Sequence, residues 1–335
     1  MIRPWFYDKF VCTADRCTDN CCRGWEIDID EPAMERFRKV PGEFGERLRG
    51  AIHERDGQRT FALAAGDKCA LLREDGLCEL ILHCGDGILC DICALHPRFF
   101  NNSGEVREGG LGLCCEEVCR LLYSDSAPFA LVQDDEDVTA MSRDDEFTAA
   151  FRQERSALFS ILHDGRLGIL ERLGKCAEFG WRIQQQIEGG EKADIPTEWG
   201  SILTPEEISR LLETLSEMES INDEWTQTLE RLSRRREELV GALPGYLEAA
   251  GEWRYEHIAA YGIFRHYTRS LDDSAAYARV TLACCSALTV MLMDCMRWLD
   301  AGEITEWDMI LDLKLYSKQV EYSQENIDAF LEEYY

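Results

Sequence analysis

The sequence predicts an α+β fold, mainly α: a small, irregular, cysteine-rich metal-binding domain over 1–125, then a helical domain over 126–335. Three observations carry that reading. Twelve of the sixteen cysteines lie between Cys12 and Cys119. Short runs with turn signals fill the first third, whereas 3.6-residue apolar periodicity dominates after about Asp145. A strongly acidic stretch, Gln133–Asp137 and Arg143–Glu146, separates the two patterns and reads as a solvated linker.

The N-terminal pattern centres on Cys12, Cys17, Cys21 and Cys22, four thiols within eleven residues. Thiolates held on one short segment can converge on one metal or iron–sulfur cluster. The spacing C-x4-C-x3-C-C differs from the paired CxxC knuckles of a zinc ribbon. It also lacks the CxxxCxxC triplet of radical S-adenosylmethionine enzymes. Next, Gly24–Asp30 alternates apolar and acidic residues, predicting a short strand. Asp30 is placed to cap a helix over Pro32–Lys39, stopped by Pro41-Gly42.

Cys69 and Cys78 flank the Asp75-Gly76 turn signal and predict a hairpin with one cysteine on each arm. Cys90-Asp91-Ile92-Cys93 supplies a CxxC ahead of Pro97-Arg98, and a second hairpin-like passage ends at Leu113-Cys114-Cys115 before a helical tail. Cys84, Cys90 and Cys119 read as spare thiols. Four cysteines can hold either an iron–sulfur cluster or zinc, so ligand type leaves both open.

In the second half, Thr204-Pro205-Glu206-Glu207 has capping-box spacing and opens a helix over Ile208–Met218. Further helices are predicted over Trp225–Leu239 (ending near Gly241), Ile258–Tyr267, Ala275–Leu299, Glu306–Glu321 and Glu325–Tyr334. The apolar run Val280–Met293 is too short for a bilayer and reads as a buried helix, with Cys284, Cys285 and Cys295 as core. The histidines read as structural or surface groups.

Composition narrows the function. The formal charge of −28, from 64 acidic and 36 basic residues, opposes binding to phosphate backbones and suits a basic partner. The first residues show neither an apolar signal core nor a cleavage site, so a cytoplasmic, reducing location is expected. In that setting clustered thiols point to metal or redox chemistry rather than disulfides. Gly109-Gly110-Leu111-Gly112 lacks the full dinucleotide fingerprint, and no βαβ pattern surrounds the CxxC to suggest a thioredoxin-like motif.

Taken in order, Phe10-x-Cys12, Cys17, Cys21-Cys22-x-Gly24-Trp25-x-Ile27-x-Ile29-Asp30, Cys69-x-Leu71-Leu72, Gly76-Leu77-Cys78, Cys93-x-x-x-Pro97-Arg98 and Cys115-x-Glu117-x-x-Arg120-Leu121 form a pattern. Arg265-x-Tyr267 and Tyr316–Asn326 extend it into the second half. On these residues the chain resembles the bacterial flagellin lysine-N-methylases over nearly its whole length. The resemblance implies methyl transfer from S-adenosylmethionine to lysines of flagellin and an iron–sulfur cluster, 4Fe-4S in type, with zinc as the alternative. Its cysteine pattern falls on Cys12, Cys17, Cys21, Cys22, Cys69, Cys78, Cys93 and Cys115. The sequence departs from the family at Cys115-Glu116-Glu117, where Cys-Pro-Glu is usual, and at Glu321-Tyr322-Ser323, where Glu-His-Ser is usual.

Arg98 is the candidate for the donor's carboxylate, because a guanidinium fork pairs two oxygens at once. Arg265, Tyr267 and Glu321 join it as catalytic candidates, being polar groups on apolar helices. The competing reading of Arg98 is an ion pair with Glu321. The competing reading of the whole chain is a non-enzymatic metal-binding module that recruits a partner.

Overall fold

The computed structural model describes residues 1–24, 26–55, 57–103, 106–134, 146–189 and 205–334. Among the described residues helices dominate, with four two-stranded sheets of short strands. This is the α+β, mainly α class expected. The chain divides into two compact units: Phe10–Phe99 with Cys115–Glu117, and Met1–Lys9 with Phe100–Cys114 and Val118–Tyr335.

The cysteine-rich unit is built from short elements. Asp30 caps the helix Glu31–Arg38, accepting from Ala33 N at 2.7 Å, with proline in the first turn as expected. The alternation over Gly24–Asp30 survives as burial, Ile27 and Ile29 inside and Asp28 outside. The expected strand, however, is reduced to one antiparallel bridge, Asp28 to Thr60, beside the hairpin Ile52–Arg55/Gln58–Phe61; Trp25 lies outside the described residues. The Asp75-Gly76 turn forms, closed by Arg73 N to Leu77 O at 3.0 Å and a Leu72–Cys78 bridge. Cys69 pairs instead with Leu63, across Leu63–Ala64/Lys68–Cys69. Phe37, Phe61, Leu48 and Leu71 form the small core beneath.

The helix Ala276–Ala301 lies at the centre of the helical unit. Its residues Ala276 to Met296 are buried without interruption. A helix apolar all round must be enclosed on all sides, and here the helices Ile169–Ile187, Asp223–Ala250, Trp253–His266 and Glu306–Tyr316 enclose it. It matches the helix expected over Ala275–Leu299 to within two residues; length and hydropathy alone would let it cross a membrane, yet its most apolar window is wholly buried. Cys176, Cys284, Cys285 and Cys295 are all core residues. Two glycines allow the close approach. A β-carbon on Gly262 would stand 2.8 Å from that of Ala283, and one on Gly180 would stand 2.9 Å from that of Val280.

The helix expected to end near Gly241 instead runs from Asp223 to Ala250, straight through Gly241 and Pro244. A proline there costs roughly 3 kcal/mol of helix stability and each glycine about 1. Leu239, Leu243, Tyr246 and Leu247 continue the buried stripe past both breakers, and burying each large apolar chain returns about 1.5–3 kcal/mol. Packing wins. The helix stops at Gly251, whose φ of +80° suits glycine. The predicted helix Glu306–Glu321 is α-helical to Tyr316 and then makes a π turn over Ser317–Glu321. Helix Pro205–Glu217 begins on proline as expected; its proposed cap Thr204 and most of the acidic linker, 135–145, lie outside the described residues.

Small strands complete this unit. Arg3–Pro4 pairs antiparallel with Leu131–Val132, and Ile2 bridges to Glu108 in the strand Val106–Leu111. The glycines of 109–112 serve packing: Gly109 meets Met1, and Gly112 meets Tyr322.

Candidate functional site

Three tethers shape the cysteine site. Asn20 Oδ1 accepts from Cys22 N, while its Nδ2 donates to Gly76 O, both at 2.9 Å, fixing the first cysteine loop to the 73–77 turn. Cys69 N donates to Cys22 O at 2.8 Å, which sets these two cysteines side by side. Asp30, already the cap of one helix, also accepts from Asp91 N at 2.7 Å, and Arg36 donates to Leu89 O at 2.7 Å. Together these hold the start of the short helix Asp91–Leu95, which carries the CxxC.

The result brings Cys21, Cys22, Cys69, Cys78, Cys90 and Cys93 into one another's electrostatic reach. Five of these belong to the ligand pool read from the sequence. The sixth, Cys90, had passed as a spare thiol; its i, i+3 spacing to Cys93 was the available signal. Cys90 is buried at the N-cap position of its helix, and the Cys93 thiol hydrogen-bonds to it, drawing Cys90 below the usual thiol range against the opposing effect of burial. Cys93 is pushed up by the same bond and by burial, and Cys22 by its bond with Cys21 and by burial. Burial lifts Cys69 to about 11, with Cys78, Cys90 and Cys21 adding to it.

Cys17 lies elsewhere in the same unit, beside Cys115 and Glu116, and burial with the Glu116 charge pushes it up to about 12. Glu116 accepts from Thr18 N at 2.8 Å and Thr18 Oγ1 at 2.7 Å. Cys12 is exposed, its Sγ accepting from Ala14 N at 3.4 Å. Among the described residues, no group of three or more His, Cys, Asp or Glu side chains has the arrangement to hold a metal ion as it stands. In kind, the six-sulfur set suits a thiophilic centre. Neighbouring thiols oppose each other's ionisation, and a bound cation reverses that logic.

Arg98 opens the strand Arg98–Ser103 and lies over the Phe10 ring, 5.4 Å from its centre. It belongs to the cysteine-rich unit; Arg265, Tyr267 and Glu321 belong to the helical one. Glu321 ends the π turn with its carboxylate held by three neighbours: Ser317 Oγ at 2.6 Å, His266 Nε2 at 3.3 Å and Arg265 Nη1 at 3.8 Å. Burial pushes this carboxyl up, but the Arg265 charge and the His266 and Ser317 bonds outweigh it, leaving it below the usual range. Arg265 further donates to Tyr261 Oη at 2.9 Å and Glu321 O at 3.0 Å and lies over the Tyr322 ring. Arg265 and Glu321 therefore form one buried node. Tyr267 stands apart, its hydroxyl donating to Glu154 at 2.8 Å and its ring stacked on Phe151.

One buried acid escaped the sequence reading. Asp294 follows the apolar run and is fully buried; it accepts from Tyr255 Oη at 2.7 Å, and Tyr255 in turn bonds Tyr246. Its Oδ1 receives no hydrogen bond, and burial plus the nearby Asp312 charge raise its carboxyl well above the usual range. An acid closing a stretch of fourteen apolar or small residues, Val280–Met293, was the signal.

Comparison with known proteins identifies the class. Residues 155–334 match the family model described as the FliB lysine N-methylase C-terminal domain. That is more than half of the 335 residues, and the chain belongs to this family. It is 26% identical over 135 residues to the flagellar biosynthetic protein FliU of Salmonella muenchen, covering 38% of this chain and 79% of that protein. It is also 26% identical over 136 residues to the lysine-N-methylases of Salmonella typhimurium (strain LT2) and Salmonella choleraesuis (strain SC-B67). Those alignments cover 38% of this chain but only 33% of each methylase. No solved structure matches the chain.

Proposed function

We propose that the chain is a protein-lysine N-methyltransferase that uses S-adenosylmethionine and acts on flagellin in the cytoplasm. The observation that carries this reading is the family match over 155–334; the flagellar name of one relative supports flagellin as the protein substrate. In such a transfer the neutral lysine amine attacks the donor's methyl carbon. The carbon–sulfur bond breaks, its electron pair stays on sulfur as a thioether, and the new ammonium releases a proton. The protein's task is to desolvate and orient the amine and to accept that proton.

The thiols Cys21, Cys22, Cys69, Cys78, Cys90 and Cys93 are the groups that would hold an iron–sulfur cluster, 4Fe-4S in type, or zinc. Bound there, such a centre would neutralise converging thiolates and clamp four loop segments of a unit with little core of its own. Arg98 is the proposed partner of the donor's carboxylate, and the Arg265–Glu321 node with Tyr267 the proposed helical contribution. The decisive experiment purifies the full chain without oxygen, measures iron, sulfide and zinc, and follows transfer of a labelled methyl group to flagellin. Absence of transfer by metal-replete protein would remove the enzymatic reading in favour of a metal-stapled recruiting module.

A further inference from the structure

The first cysteine loop is tied at its two ends to different partners. Downstream, Asn20 Nδ2 donates to Gly76 O, Cys22 O accepts from Cys69 N, and Gly24 N donates to Asp67 O at 3.0 Å. That half of the loop delivers Cys21 and Cys22 to the other sulfurs. Upstream, Glu116 takes Thr18 with both carboxylate oxygens, one on the backbone amide and one on the hydroxyl. Glu116 is buried at the start of the helix Glu116–Leu122, whereas Thr18 is exposed. Hydrogen bonds to an ionised carboxylate are about twice as strong as neutral ones, so this anchor is firm.

The Cys17 thiol is held on the same side. Its acceptors are Asp19 O and the Glu116 carboxylate, and the sulfur that acts on it most strongly is Cys115. Cys21, Cys22, Cys69, Cys78, Cys90 and Cys93 act instead on one another. Thiolates that share one ion must each approach it to about 2.3 Å. Cys17 adjoins Thr18, so bringing its sulfur among the six means pulling Thr18 off Glu116.

We infer that Glu116 is a positioning residue that decides which sulfurs a thiophilic metal centre uses. It holds Cys17 out of the ligand set and leaves Cys21 and Cys22 as the contribution of the first loop. The inference rests on the six-sulfur reading of the metal centre.

The test titrates cobalt(II), a probe that thiolates bind with a charge-transfer absorption, into the metal-free full chain under nitrogen. Cys17→Ser should bind as the parent does, within about twofold. Cys22→Ser should bind at least about tenfold more weakly. Adding Glu116→Ala to Cys22→Ser frees Cys17 to take the vacated place, and at least about threefold in affinity should return. The recovery should vanish when Cys17→Ser is added as well. It should also be missing with Glu116→Gln, whose amide still accepts from Thr18 N and can donate to Thr18 Oγ1. A merely structural anchor never restores binding when it is removed. Should the Cys22→Ser/Glu116→Ala protein fail to melt cooperatively, Thr18→Val, which removes one of the two bonds, replaces Glu116→Ala with the same direction expected. Weakened binding in Cys17→Ser would make that residue a ligand and overturn the inference. So would absent recovery, recovery that survives loss of Cys17, or equal recovery with Glu116→Gln. Each of those results leaves a metal centre standing. No cobalt uptake by the parent, or undiminished uptake by Cys22→Ser, overturns the six-sulfur reading itself and the inference with it.

Discussion

The hydroxyl oxygen of Tyr322 stands 1.5 Å from the point a β-carbon on Gly112 would occupy. The half-buried ring lies against Arg265 and its hydroxyl hydrogen-bonds with Cys114, so moving it aside gives up both contacts. Gly112→Ala should therefore destabilise the helical unit by about 1–3 kcal/mol, the usual cost of overpacking. In a Tyr322→Ala background the same substitution should cost far less. Denaturant melts of the four proteins in that cycle give the coupling directly; additive effects would mean the contact is not the cause.

Asp30 joins two helices with one carboxylate. Asp30→Ala should remove about 1 kcal/mol for the lost cap of Glu31–Arg38, and more for the freed amide of Asp91. Burial opposes ionisation of Asp30, but the amides of Asp91 and Ala33 outweigh it and hold its carboxyl below the usual value. A lowered folded value means stability present above the ordinary aspartate range and lost as pH falls through it. The parent should thus lose stability on acidification more steeply than Asp30→Asn, as read from melts between about pH 6 and pH 3.

Metal content should follow the sulfur grouping. Replacing Cys22, Cys78, Cys90 or Cys93 with serine should lower bound metal and thermal stability together, because binding and folding are coupled in such units. Cys284→Ser, in the apolar core of the helical unit, should leave metal content unchanged. Elemental analysis of each purified variant decides the matter. Full metal in Cys90→Ser would exclude that residue from the ligand set.

Asp294 gives the opposite pH signature. Its folded value lies well above the unfolded one because of burial. Its contribution is therefore complete below the ordinary aspartate range and disappears as pH rises through the folded value. Asp294→Asn keeps the shape but does not titrate. The parent should lose stability relative to this variant as pH rises from the ordinary aspartate value, about 4, and a constant difference from about pH 4 to pH 10 would refute the buried acid.

Local chemistry was the legible part of this sequence. The Asp30 cap, the Asp75-Gly76 turn and most of the helices follow from side-chain spacing within one or two turns. Gly241 misled because its penalty is local and readable, whereas the stripe from Leu239 to Leu247 gains stability only against neighbours far along the chain. The cysteines show the same divide. Spacing marks them as a set, but whether Cys17 joins Cys21 or Cys115 depends on where Thr18 meets Glu116, a contact across 98 positions. Asn20, which sets the first loop through Gly76, carries no signature beyond that of a common turn residue.

The strand pairings of the first residues bear on how the helical unit is made. Ile2 N bonds Arg107 O, and Arg3 aligns with Val132, although Phe10–Phe99 belongs to the other unit. During synthesis the leading segment therefore emerges long before its partners exist. It must wait, unpaired, while the whole cysteine-rich insertion is translated, and that insertion can gather its thiols first. Loop closure over such a span is slow relative to local helix formation. Folding of the helical unit is thus expected to lag behind assembly of the cysteine site, an order of events written into the path of the chain.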